Sequence, residues 1–144
     1  MSLTAKLVLS PVLVAQAIAT RVRLPKLPEP EGERHGAVGR GAALKLLVTG
    51  DSSAAGVGVS RQADALAHRL AQRLAEAAKA CVHWQLRARS GLTTAQTLAL
   101  LRDEGHAPAD VAVVVTGVND VVDQIPSRRA VAAREALANW LRNS

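Results

Sequence analysis

Three short stretches of the chain hold the residue types that acyl transfer needs. They are Gly50-Asp51-Ser52-Ser53-Ala54-Ala55-Gly56, Ser90-Gly91 and Gly117-Val118-Asn119-Asp120. The first offers a serine hydroxyl, which becomes an effective nucleophile only beside a base. Gly91 has no Cβ, so a ligand can approach its backbone N–H closely. Asn119 offers a neutral amide that donates hydrogen bonds at any working pH. Such donors stabilise a tetrahedral oxyanion by about 2.7–4 kcal/mol each in comparable sites. The set reads as a nucleophile with oxyanion donors, provided the fold brings the three stretches together.

The hydrophobic pattern supplies elements that would do so. Leu44-Lys45-Leu46-Leu47-Val48-Thr49 is a short apolar run ending at Gly50, as in a buried strand. Arg61 to Lys79 has helical period, with Ala63, Leu66, Ala67, Leu70, Leu74 and Ala77 on one face and Asp64, His68 and Gln72 opposite. Val82, Trp84 and Leu86 then alternate with His83, Gln85 and Arg87, the two-residue period of a half-exposed strand. Thr93 followed by Gln96 predicts a capping box and a helix ending near Gly105. Val111-Ala112-Val113-Val114-Val115 reads as a strand apolar on both faces, and a last helix is expected from about Ser127.

Three strand–helix units in succession predict an α/β fold: a three-layer α/β/α arrangement around a flavodoxin-like parallel sheet. The alternating strand fits an edge and the continuous apolar strands the interior, giving the order second–first–third. In such sheets ligands bind beyond the carboxyl ends of the strands. Each of the three stretches follows one of these strands, so all converge on one rim. The valine-rich third strand is left with a bare edge, which invites aggregation, so the domain is expected to be incomplete at its C-terminus.

Composition narrows the function classes. In 144 residues, 49% are hydrophobic and 21% charged, a balance that suits a globular fold. Cys81 is the single cysteine, so neither an intramolecular disulfide nor a cysteine-rich metal site is available. With no Phe or Tyr, only Trp84 and Trp140 could stack on bases. The net charge of +6 comes from scattered residues such as Arg69, Arg73, Arg87, Arg89, Arg128 and Arg129 and reads as solvated surface. Nucleic acid is therefore disfavoured as a partner. The Gly50–Gly56 loop lacks the Lys-Ser or Lys-Thr of a phosphate-binding loop and the G-x-G-x-x-G of a dinucleotide fold. No cofactor or metal is expected.

The stretches Gly50-Asp51-Ser52 with Gly56, then Gly91, then Gly117-x-Asn119-Asp120, resemble the first three sequence blocks of the SGNH hydrolases, the GDSL-type esterases and lipases. The resemblance spans roughly residues 44 to 142. It implies that Ser52 is the nucleophile of a hydrolase acting on small carboxylic esters or thioesters. It also implies an oxyanion hole made by the N–H groups of Ser52 and Gly91 and by the side chain of Asn119. The family's last block, Asp-x-x-His, does not occur here. His35 falls in a loop-like stretch, His68 on an outer helix face, and His83 and His106 toward the amino ends of strands, all away from the expected rim. Asp120 and Asp123 lie near that rim with no histidine to orient, and Asp51 reads as a turn cap. The alternative is a non-catalytic binding module or catalytically incomplete fragment on the same fold.

Residues 44–144 are thus expected to form the front part of the hydrolase-like domain. Residues 25–43, with Pro25, Pro28, Pro30, Gly32, Gly36, Gly39 and Gly41, read as an extended linker. Residues 1–24 contain an apolar run, 7–19, too short to span a bilayer as a helix. Lys6 before it and Ala17-Ile18-Ala19 at its end give it the form of a signal peptide, with a tether or packing helix as the alternatives. It allows membrane contact and favours a secreted, periplasmic or membrane-associated location over the cytoplasm.

Overall fold

The apolar run at 44–49 forms the middle of the sheet. This is a computed structural model that describes residues 27–144. The 7–19 segment, with its leader, tether and membrane readings, lies outside those residues. Strand β1 is His35–Gly39, β2 Ala43–Gly50, β3 Cys81–Ala88 and β4 Val111–Val115. The order across the sheet is β1-β3-β2-β4, with β2 parallel to both β3 and β4. The three strands read from the sequence therefore stand in the expected order.

The helices are α1 (Ser52–Ala55), α2 (Leu66–Ala78), α3 (Thr94–Glu104), α4 (Val118–Val122) and α5 (Ser127–Arg142), with a 3-10 turn at Gln62–Asp64. They complete a three-layer α/β/α fold. Leu46 and Val48 of β2 join Val82, Trp84 and Leu86 of β3 against Ala67, Ala71 and Ala75 of α2. Leu47 points to the opposite layer and meets Leu98 and Leu101 of α3 and Leu137 of α5. A strand whose consecutive residues are all buried is what a covered parallel sheet requires.

The expected 25–43 linker is corrected in part. Its residues His35–Gly39 pair antiparallel with β3, from His35 opposite Gln85 to Gly39 opposite Cys81. The glycines that resemble a linker are there for packing. A Cβ on Gly36 would sit 3.1 Å from the Trp84 indole nitrogen, and one on Gly39 would sit 2.7 Å from the Ala75 Cβ. With β1 in place, β3 is not the sheet edge its alternation implied. The outer strand on the other side is β4, half exposed, with Val111 and Val114 at 39% and 40%. Among the described residues, β4 pairs only with β2.

The inward face of α2 is also rotated from the expected one. Ala67, Ala71 and Ala75 form the buried stripe, flanked by the partly buried Leu70 and Leu74, while Leu66 is exposed. Small residues let the helix lie close to the sheet, where the large Trp84 already takes up the space. His68, three residues from Ala71, consequently sits on the edge of that stripe. It is half-buried and meets Trp84 edge-on with ring centroids 5.5 Å apart.

Candidate active site

The turn leaving β2 is made by residues that cannot easily be exchanged. Gly50 has φ +147°, and a Cβ there would collide with the Val115 carbonyl. Such close approach of backbone to backbone is open to glycine alone. It lets the Asp51 N–H donate to the Val115 carbonyl at 3.0 Å, while the Gly50 carbonyl accepts from the Arg89 N–H at 3.2 Å. One dipeptide thereby ties together the carboxyl ends of all three parallel strands. Asp51, buried, then caps α1 by accepting the Ser53 N–H at 3.0 Å, the capping role expected of it. Ser52 opens α1, half-buried at the rim. Neither its backbone N–H nor its hydroxyl has a hydrogen-bond partner among the described residues.

Gly91 lies three residues beyond β3, exposed, at φ +84°. A Cβ on it would meet nothing within 4 Å, so backbone conformation and not crowding calls for glycine. Its neighbours' amides are committed: the Arg89 N–H to Gly50, and the Ser90 N–H to the Glu29 carboxylate at 2.6 Å. The Gly91 N–H itself has no protein partner among the described residues.

Asn119 sits in α4, just past β4, and donates through Nδ2 to the Leu92 carbonyl at 3.0 Å. A side-chain amide has two N–H donors, so one is left over. That bond couples the third stretch to the second. Asp120 reinforces the coupling: it is 3% exposed and accepts both the Thr94 N–H, at 2.9 Å, and the Thr94 hydroxyl, at 2.6 Å. Thr116 Oγ1 lies 3.0 Å from Thr94 Oγ1, and Arg134 approaches Asp120 at 3.9 Å. Asp120 thus satisfies an otherwise orphaned donor at the start of α3, which Thr93 and Gln96 cap reciprocally as expected. Its role is to join α3 to α4.

Two residues that periodicity did not single out reach the same rim. Glu29 takes the Ser90 N–H, and Arg34 donates both to Glu29, at 3.0 Å, and to the Ala88 carbonyl at the end of β3. Burial works against the charge on Glu29. The Ser90 N–H and hydroxyl, together with Arg34, outweigh it and hold the carboxyl below its ordinary value. Both residues lie in the proline-rich stretch, where no repeating pattern marks them.

None of the four histidines is hydrogen-bonded to Ser52 among the described residues. His35 is exposed on β1 near Glu33, His68 packs on Trp84, and His83 lies exposed early in β3, 3.8 Å from Cys81 Sγ. His106 precedes β4 and packs on Trp140 with ring centroids 5.1 Å apart. A cleft of about 760 Å³ is lined by His35, Lys45, His83 and Arg87 among others, and includes none of Ser52, Gly91 and Asn119. Among the described residues, no group of three or more His, Cys, Asp or Glu could hold a metal ion.

Comparison with known proteins bears on this rim. No curated protein matches the chain. Among solved structures, TesA is similar at 26% identity and a TM-score of 0.58, over 69% of this chain and 54% of that one. AlinE4, an SGNH-hydrolase family esterase, is similar in fold at 23% identity and a TM-score of 0.61, over 72% of this chain and 55% of that one. The chain therefore spans about half the length of these two structures. A sequence model of the GDSL-like Lipase/Acylhydrolase family matches residues 48–144, the stretch that begins at the end of β2 and carries all three rim turns. The chain belongs to the GDSL-like lipase/acylhydrolase family.

Proposed function

We propose that the chain carries the nucleophile and oxyanion donors of a serine hydrolase acting on carboxylic esters or thioesters. One observation supports this above all. Ser52, Gly91 and Asn119 follow three adjacent parallel strands whose ends share hydrogen bonds, and each retains an N–H donor with no partner among the described residues. In this reading Ser52 Oγ attacks the acyl carbonyl carbon while its proton passes to a base. The negative oxygen that forms is met by the N–H groups of Ser52 and Gly91 and by the second Nδ2–H of Asn119. Collapse expels the alcohol or thiol and leaves an acyl-Ser52 ester, which water then hydrolyses. No histidine is hydrogen-bonded to Ser52 among the described residues.

That last point favours a second reading, in which residues 27–144 hold an acyl ester without turning it over. Labelling with a fluorophosphonate separates the two, because it requires an activated hydroxyl. Rapid labelling of the chain at Ser52, lost in Ser52→Ala, supports the hydrolase. Labelling no faster than that of free serine, with ester binding retained, supports the binding module.

A further inference from the structure

We propose that Glu29 is a positioning residue, whose carboxylate holds the Arg89–Ser90 peptide, one peptide before the Gly91 N–H, so that the Gly91 N–H stays free and fixed for the oxyanion. The inference rests on the hydrolase reading above and goes beyond it, since Glu29 lies outside residues 48–144 that match the family.

The loop around Gly91 has little else to hold it. Gly91 is exposed, no atom lies where a side chain would pack, and glycine loses more freedom on ordering than any other residue. An oxyanion donor that must be ordered during the reaction forfeits its advantage, so it must be fixed beforehand. Three hydrogen bonds do this: Arg89 N–H to Gly50, Ser90 N–H to Glu29, and Asn119 Nδ2–H to the Leu92 carbonyl. Gly91 lies between the last two. The Glu29 bond is the shortest of the three, at 2.6 Å, and is charge-assisted.

Glu29 is itself anchored. Arg34 bridges its second carboxylate oxygen to the Ala88 carbonyl, the last residue of β3. The carboxylate is thus referenced to the strand from which the loop departs. Of the charged groups nearby, Arg34 faces Glu29 from its own segment, while Arg89 at the end of β3 is engaged by Glu104 at 2.8 Å. Taking up the Ser90 N–H also removes a competing donor, leaving the next amide, that of Gly91, to face a substrate.

The test follows the backbone amides of the full chain by 15N NMR, with Glu29→Gln and Glu29→Ala beside it. In the unaltered chain the Ser90 amide proton is expected far downfield. It should move upfield as acid protonates Glu29, with Gly91 moving in step. Both movements should vanish in Glu29→Gln. Exchange of the Ser90 amide should quicken about tenfold in Glu29→Ala, as loss of one such bond implies. Should Glu29→Ala fail to fold, the near-isosteric Glu29→Gln decides. A Gly91 resonance that ignores the titration, or Ser90 exchange unchanged by the substitution, overturns the proposal.

Turnover of a short p-nitrophenyl ester supplies the functional arm. Here kcat should fall about tenfold or more in Glu29→Ala with KM held within about twofold, and Glu29→Gln should recover part of the loss. Wild-type kinetics in Glu29→Ala overturn the positioning role while leaving the hydrolase reading intact. An inert parent chain counts against the hydrolase reading, and the amide measurements then decide whether Glu29 fixes the loop.

Discussion

Replacing Asp120 by alanine removes the acceptor of two hydrogen bonds at once, in a place water does not reach. Asp120 is 3% exposed and Thr94 is fully buried. Hydrogen bonds to a charged group contribute about 1.5–3 kcal/mol each, and an orphaned buried donor costs about 1–3 kcal/mol. The Thr94 hydroxyl can turn toward Thr116 Oγ1, 3.0 Å away, and recover about 1 kcal/mol. The Thr94 N–H is fixed by the helix and has no second acceptor to turn to. Arg134, 3.9 Å away and largely exposed, adds little to the balance. The expected loss is about 3 kcal/mol, a large part of the roughly 5–15 kcal/mol that holds a domain together. Urea unfolding followed by circular dichroism should show the midpoint falling by about 1–3 M. Asp120→Asn keeps one acceptor and should lose about 1 kcal/mol. A double-mutant cycle with Thr94→Ala should give a coupling above about 1 kcal/mol. A loss under about 0.5 kcal/mol for Asp120→Ala, or strict additivity with Thr94→Ala, would refute the idea that this carboxylate joins α3 to α4.

Gly50→Ala forces a Cβ toward the Val115 carbonyl from a left-handed backbone. The combined strain should cost roughly 3 kcal/mol or more, read as loss of the native NMR spectrum or a much lower thermal midpoint. On α2, Ala71→Leu should destabilise by about 1–3 kcal/mol through overpacking, while Leu66→Ala stays within about 0.5 kcal/mol. The reverse ranking in urea melts would restore the helix face inferred from periodicity. The Glu29 carboxyl lies below its ordinary 4.5 in the folded chain, so folding favours its charge. Its contribution is complete above about that value and is lost as pH falls through the lower folded value. Glu29→Gln should therefore lower the urea midpoint at neutral pH, with the difference closing in acid. A gap that persists unchanged at the lowest pH contradicts the assignment.

Much of the fold was legible because it is written in local pattern. The run at 44–49, the alternation at 82–87 and the Thr93–Gln96 capping box each encode an element within a few residues, and the structure holds all three. β1 was hidden because its reason for being glycine-rich is Trp84, some fifty residues away, against which Gly36 packs. The α2 face was misjudged for a related reason. Hydrophobicity ranks Leu66 above Ala71, but a helix held close to a sheet buries its small residues.

By itself the sequence determined the three strand–helix units, their order and the residue types at each turn, because these depend on period, capping and the φ of single glycines. It placed Ser52, Gly91 and Asn119 after successive strands, where the structure also has them. Only the tertiary structure decided what holds those turns together: Gly50 and Asp51 bonding to both neighbouring strand ends, Asp120 reaching Thr94, and Glu29 reaching Ser90. Each of these joins residues 26 to 64 positions apart, and a carboxylate that finds an amide at such separation leaves no periodic trace in the chain.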